Sequence, residues 1–187
     1  MIGLLLRKVF FMFKYKHGIC IIRCQPFHIG HDRLIKKMLS ECEYATVVIG
    51  SAQESGTEKN PLPYFTRKKM IQNVYRSKEE YNRLRILGVK DVINTSWENY
   101  VLEMISKDAP HSPLVDVLYV GNLNEYQVFK NLIPNVELCS RTTQDFPFLS
   151  GNMVRDMILL RDERYKQFVH QENIKLIEKS FYEDELA

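Results

Sequence analysis

Cysteine is scarce in this chain: four in 187 residues, at positions 20, 24, 42 and 139, with no Cys-x-x-Cys pair and no histidine beside them at ligand spacing. That argues against a structural zinc site and against a disulfide framework, and leaves reduced thiols in a cytoplasmic protein as the simple reading. Charge of one sign is also lacking. The formal net charge is +3, with no arginine-rich tract and no basic stripe interleaved with aromatics, so nucleic acid is not an expected partner. A small positive balance does suit a phosphorylated ligand.

Long apolar runs are missing too. Residues 1–6 and 9–13 are apolar, but Arg7 and Lys8 split them and Lys14 and Lys16 follow. Nothing approaches the ~20 residues of a membrane span, and no small-residue cleavage site marks a signal peptide. No membrane partner is expected. Residues 1–16 read as an N-terminal extension or accessory strand, with Met12 an alternative start. The eight glycines and seven prolines form no linker or low-complexity stretch. Residues 17–187 therefore read as one domain, with a helical tail from about residue 162.

What is present alternates between strand and helix. Gly18 to Ile22 and Ala45 to Ile49 are short, apolar and rich in β-branched residues, as buried strands are. Leu84 to Val89, Val115 to Val120 and Val136 to Cys139 read as further strands. Leu34, Ile35, Met38, Leu39 and Cys42 fall on one helical face, and helices are expected at Phe65 to Tyr75, Trp97 to Lys107, up to Leu132, Ser150 to Leu160 and, as a single tail helix, Arg164 to Phe181. This order implies an α/β fold, a Rossmann-like three-layer α/β/α domain with a mostly parallel sheet. Ligands of such sheets sit at the carboxyl ends of the strands, where His28, Gly50, Gly121 and Ser150 converge.

The most informative stretch is His28-Ile29-Gly30-His31, which stands where the first strand hands over to a helix. Free backbone N–H groups and the positive end of the helix dipole favour an anion there, and polyphosphate is the usual one. A lone histidine in that place reads as a cap or a surface residue; two at i and i+3 around a glycine, behind Pro26, do not.

Four strings then occur in order: Arg23-x-Gln25-Pro26-Phe27-His28-x-Gly30-His31; Gly50-Ser51-Ala52-Gln53-Glu54-Ser55-x-Thr57-x-x-Asn60-Pro61; Gly121-Asn122; and Ser150-Gly151-x-x-Val154-Arg155. Together they resemble the motifs of the nicotinamide-nucleotide adenylyltransferases, in particular the archaeal-type branch of the HIGH-motif nucleotidyltransferases. The resemblance runs from about Gly18 to Leu160. It implies adenylyl transfer from ATP to nicotinamide mononucleotide, giving NAD and pyrophosphate, with Mg²⁺ carried through the ATP phosphates and no metal held directly by protein groups.

On the same footing, His28, His31 and Arg155 are implied to be catalytic. Arg23, Gln25, Pro26, Phe27, Gly30, Gly121, Asn122, Ser150 and Gly151 would join them in binding ATP. Ser51, Ala52, Gln53, Asn60 and Trp97 would bind the acceptor, Trp97 by stacking on the pyridinium ring. On local grounds alone, Trp97 reads as a residue packing its helix, Ser51 to Gln53 as turn residues and Gly121-Asn122 as a strand-end turn. Lys59 and Arg67 read as a solvated face, and His17, His111 and His170 as structural. Members of the family commonly self-associate, but no oligomer surface is evident in the sequence, and a single activity is expected.

The chain departs from the family pattern at Ile22, where glycine is usual, at Cys24 in place of an aromatic or Met, at Asn152 in place of Thr, and at Gly56 in place of a bulkier polar residue. These departures leave three readings open: the nicotinamide enzyme, a nucleotidyltransferase for another acceptor such as nicotinic acid mononucleotide or FMN, and a nucleotide-binding regulatory module without turnover.

Overall fold

The computed structural model describes residues 13–93, 96–108, 114–139 and 149–182. His111 and the apolar segment up to Met12 lie outside them. Five strands form one sheet: β1 Tyr15–Ile22, β2 Cys42–Ile49, β3 Leu84–Gly88, β4 Val117–Val120 and β5 Asn135–Leu138. Their order is β3-β2-β1-β4-β5 and every pairing is parallel. Parallel neighbours need crossover connections, which here carry helices α1 Ile29–Glu41, α2 Tyr64–Tyr75, α3 Trp97–Asp108 and α4 Leu123–Phe129. Helices α5 Gly151–Leu159 and α6 Gln171–Tyr182 follow β5.

Strands covered on both faces read as continuous apolar runs, and the packing shows why these do. Cys20, Ile22, Val47 and Ile49 pack on one side against Leu34, Ile35 and Met38 of α1, Met70 and Ile71 of α2, and Val154 and Ile158 of α5. Ile19, Val48, Leu118 and Val120 face the other way, against Val101 and Ile105 of α3 and Phe129 of α4. The result is the expected three-layer α/β/α arrangement. No helix among the described residues is long and apolar enough to cross a membrane.

In-register pairing of Ile22 with Ile49, and of Cys20 with Tyr119, fixes how the strand ends line up. From β1 the chain crosses to β2 on one side, while β4 lies on the other, so the direction of winding reverses between β1 and β4. In open parallel sheets the crevice beyond the carboxyl ends at such a reversal is the ligand site.

The tail corrects one expectation. Instead of a single helix from Arg164, a 3₁₀ turn at Glu163–Gln167 precedes α6. The side chain of Asp162 caps the turn by accepting from the Arg164 amide, and buried Tyr165 and Val169 anchor it. The Phe168 carbonyl accepts from the Ile29 amide at 2.9 Å, so it serves the first turn of α1 rather than a helix of its own.

His17, expected to be structural, is buried and bonded through Nε2 to Thr46 Oγ1 and through Nδ1 to the Leu114 carbonyl. His170 ties the tail to α1 through Asp32. Asp32 is buried, accepts from the Tyr75 hydroxyl at 2.6 Å, and pairs with Lys36 at 2.7 Å and His170 at 3.3 Å. Burial alone would raise its pKa, but His170, Lys36 and Tyr75 together hold the carboxyl well below the usual carboxylate range.

A depressed carboxylate contributes stability that is complete above its unfolded-state pKa, about 4, and is lost as pH falls towards the folded-state value. Asp32→Asn should therefore destabilise the protein at pH 7 by about 2 kcal/mol. In urea titrations the gap between wild type and variant should narrow as pH falls from 7 to 3; a gap of constant size would refute this account of the network.

Candidate active site

Three helices begin at the crevice, each capped by a residue singled out in the sequence. His28 caps α1, its Nδ1 accepting from the Gly30 amide at 3.1 Å; Asn122 caps α4 by accepting from the Glu125 amide at 2.9 Å; Ser150 caps α5 by accepting from the Met153 amide at 3.2 Å. The positive ends of their dipoles meet in one place. That place is a cavity of about 650 Å³, a size suited to small-molecule sites.

Its walls include Arg23, Gln25, His28, Gly30, His31, Ser51, Trp97, Gly121, Asn122, Ser150, Gly151 and Arg155, twelve of the seventeen positions that the sequence nominated. Pro26, Phe27, Ala52, Gln53 and Asn60 do not line it. Phe27 is fully buried, its ring between those of His31 at 6.0 Å and His170 at 5.8 Å, so it props the histidines from behind. Asn60 is buried in its own loop, bonded through its backbone to Thr57. Gln53 pairs in both directions with Asp91: its amide nitrogen donates to the carboxylate, and its carbonyl oxygen accepts from the Asp91 amide, each at 3.1 Å.

The expectation of free amides at the start of α1 needs correcting. The Ile29 amide is taken by the Phe168 carbonyl and the Gly30 amide by His28 Nδ1. These two amides are thus engaged within the fold, and side chains face the cavity in their place. Because Nδ1 of His28 accepts, a neutral His28 ring carries its proton on Nε2. The His31 ring stacks on it with centroids 3.7 Å apart.

Arg155, on the first turns of α5, is braced by the Gln25 carbonyl at 2.8 Å and by Asn152 Oδ1 at 2.7 Å. Burial lowers its pKa and nearby Arg23 lowers it further, while Asp156 acts in the opposite sense. Two like charges held near one another favour an anion between them. The Gln25 side chain is not a cavity ligand in the simple sense: both ends of its amide bond the backbone of Leu62, at 2.9 Å each. A Cβ at Gly151 would stand 3.1 Å from the Gln25 carbonyl, tighter than nearly all real contacts, so glycine lets α5 approach the loop after β1.

At the other side of the cavity stands Trp97, edge-on to Phe129, with its indole nitrogen donating to the Lys90 carbonyl at 3.3 Å. A Cβ on Gly50 would meet the indole at 4.0 Å, ordinary van der Waals contact, so Trp97 stands close over the end of β2.

Lys59, Asp91 and Glu125 also line the cavity, although the sequence reading set Lys59 aside and passed over the other two. Their signal was position: Asp91 lies just past β3, and Glu125 in the first turn after Gly121-Asn122. Arg67, read as a surface residue, is completely buried. Ile22, where glycine was usual, packs into the core with 7% exposure while reaching the cavity wall. The thiols in the wall are inert as nucleophiles: burial pushes Cys24 up strongly and Cys139 to about 11. No group of three His, Cys, Asp or Glu among the described residues is arranged to hold a metal ion.

Comparison with known proteins places this geometry. The profile of the cytidylyltransferase-like family matches residues 23–156. A nicotinamide-nucleotide adenylyltransferase of Methanococcus vannielii is 30% identical over 160 residues, covering 83% of this chain and 84% of that protein. One from Saccharolobus solfataricus is 28% identical over 142 residues, covering 75% of this chain and 77% of that protein. Among solved structures, a bifunctional NMN adenylyltransferase/ADP ribose pyrophosphatase from Francisella tularensis, complexed with AMP and a manganese ion, superposes with a TM-score of 0.63 at 17% identity. It is covered over 53% of its length, against 90% of this chain, so the chain spans about half of that protein.

Proposed function

The chain belongs to the cytidylyltransferase-like family, and from that premise we propose that it is a nicotinamide-nucleotide adenylyltransferase, joining ATP and nicotinamide mononucleotide into NAD with release of pyrophosphate. The observation that carries this reading is the polarity of the cavity. Arg23, Lys59, Arg155 and the His28–His31 pair line it together with the indole of Trp97. A triphosphate suits the first group, and a flat cationic ring suits an indole face.

In the reaction a phosphate oxygen of the mononucleotide attacks the α-phosphorus of ATP. The new P–O bond forms as the bond to the β-phosphate oxygen breaks, and the electron pair leaves with pyrophosphate. The nucleophile is already ionised, so no strong base is required, and catalysis rests on alignment and on stabilising charge. His28 Nε2 and His31 donate to phosphate oxygens, and the fork of Arg155 holds the β- and γ-phosphates with Arg23 beside it. Lys59 joins them as a point charge at the mouth. Asp91, three residues beyond β3 and bonded to Gln53, lies next to the carbonyl that orients Trp97. Its negative charge favours a neutral carboxamide on the ring over a carboxylate.

A divalent cation would fit this site through the substrate: with arginine, lysine and histidine facing the triphosphate, it would be held by phosphate oxygens and water, as Mg²⁺ prefers. When bound, it neutralises phosphate charge.

The test is pyrophosphate release by the purified protein with ATP and Mg²⁺, with nicotinamide mononucleotide, nicotinic acid mononucleotide and FMN offered in parallel. Release should depend on a pyridine mononucleotide and be fastest with the amide. Release with FMN alone would reassign the acceptor, and none with any acceptor would point to a binding module. Trp97→Ala should raise KM for the mononucleotide about tenfold with kcat little changed; an unaltered KM would remove Trp97 from the acceptor pocket.

A further inference from the structure

Arg67 is the largest completely buried side chain among the described residues. Its NH1 donates to the carbonyls of Arg23 at 3.1 Å and Gly50 at 2.9 Å, and its NH2 to those of Ser51 at 2.9 Å and Glu54 at 3.4 Å. Every acceptor it has among the described residues is a main-chain carbonyl. A buried guanidinium is costly to place, and a carboxylate is the usual compensation; here a ring of peptide dipoles takes that role. The four carbonyls come from two loops, one leaving β1 towards His28 and one leaving β2 towards Glu54. The first carries Arg23 and ends at His28, the cap of α1, and the second carries Gly50 and Ser51, which line the cavity with Trp97.

A second feature of the backbone coincides with this clamp. Two of the three non-glycine residues with left-handed φ among the described residues are Cys24 at 59° and Ser51 at 49°. Each directly follows a carbonyl that Arg67 holds, Arg23 in one case and Gly50 in the other. Such conformations persist only where surrounding structure over-determines them. Both turns leave the carboxyl ends of adjacent strands, and one planar fork spans them.

We infer that Arg67 is a positioning residue for adenylyl transfer: by clamping both turns it fixes the separation of the triphosphate loop from the acceptor loop. It touches neither substrate, since it is wholly enclosed. This rests on the proposed reaction for the identity of the two ligands, but not for the clamp itself. Lysine in its place keeps the charge but lacks the fork, and cannot hold both loops in one plane.

The experiment uses the full chain, wild type and Arg67→Lys, with three readouts: kcat and KM with ATP and nicotinamide mononucleotide, cooperative thermal unfolding, and the affinity for α,β-methylene-ATP with and without the mononucleotide. In wild type each ligand should tighten the other about fivefold or more. Arg67→Lys should still unfold cooperatively and bind each ligand alone within about threefold of wild type. It should lose the mutual tightening and lower kcat about a hundredfold, the scale of a misplacement near 1 Å.

A merely structural role would instead weaken both single affinities together and leave the tightening intact, and that result would overturn the inference, as would an unchanged kcat. If Arg67→Lys fails to fold, Ser51→Gly relaxes one clamped turn with Arg67 in place; its kcat should fall with the tightening, and wild-type behaviour would count against the clamp. Should wild type show mutual tightening but no turnover, the proposed reaction fails while the clamp stands, provided that Arg67→Lys abolishes the tightening.

Discussion

His31→Ala lowers kcat about 10²–10³-fold, the usual cost of removing one donor aimed at developing charge in a phosphoryl or acyl transfer site, and leaves the fold intact. The ring sits at 3.7 Å from that of His28 and rests on Phe27, so its loss opens space at the cavity wall without taking a cap from α1. His28→Ala removes a similar donor but also the acceptor of the Gly30 amide. It should therefore lose a comparable rate and, in addition, about 1 kcal/mol of stability. Steady-state pyrophosphate assays paired with urea unfolding separate the two. Equal stability loss in both variants would mean that the cap on α1 is not made by His28, and a kcat within tenfold of wild type in His31→Ala would remove that ring from the transition state.

The contrast between those two histidines marks the boundary of what the sequence could reveal. Strands with β-branched runs, such as Ala45 to Ile49, and helices with a clear apolar face, such as the one holding Leu34, Ile35 and Met38, were legible because burial imposes a period on the chain. The caps were legible only as polar residues ahead of helices: a cap was set aside for His28 and Asn122 was read as part of a strand-end turn, yet they cap α1 and α4. Long-range backbone satisfaction was not legible. Nothing local shows that the Phe168 carbonyl, far along the chain, reaches the Ile29 amide, so the first turn of α1 looked open to an anion and the tail looked like one helix.

Arg67 was misread for the same reason. Arginine in an amphipathic helix normally faces water, and only the meeting of two loops in space supplies the carbonyls that bury it. Gln25 and Gln53 looked like ligands because their motif is a binding motif, yet one side chain braces Leu62 and the other Asp91. Residues that shape a site and residues that touch its ligand share the same sequence neighbourhood, and only the hydrogen-bond partners tell them apart.

Arg155 is the position where bracing and contact combine, and its replacement has the other large expected effect. Its guanidinium is held on one edge by the Gln25 carbonyl and on the other by Asn152, leaving its remaining donors to the cavity. A flexible lysine at this place keeps the charge but surrenders the fork and the brace together, because its ammonium cannot bond both partners and still present paired donors to phosphate.

Arg155→Ala should lower kcat/KM for ATP about 10²–10³-fold, and Arg155→Lys should recover only about tenfold of that, since charge alone is the smaller part of a bidentate contact. Asn152→Ala tests the brace by itself: with one edge of the guanidinium released, kcat/KM for ATP should fall only a few-fold, the scale of one hydrogen bond to a charged group in a half-exposed setting. Steady-state kinetics with varied ATP at saturating mononucleotide reads all three. If Arg155→Lys matches wild type, the residue acts as a point charge and its fixed geometry has no part in the reaction. If Asn152→Ala equals Arg155→Ala, the arginine depends on its brace to reach the phosphates at all, and Asn152 is then as much a part of the phosphate grip as the guanidinium it holds.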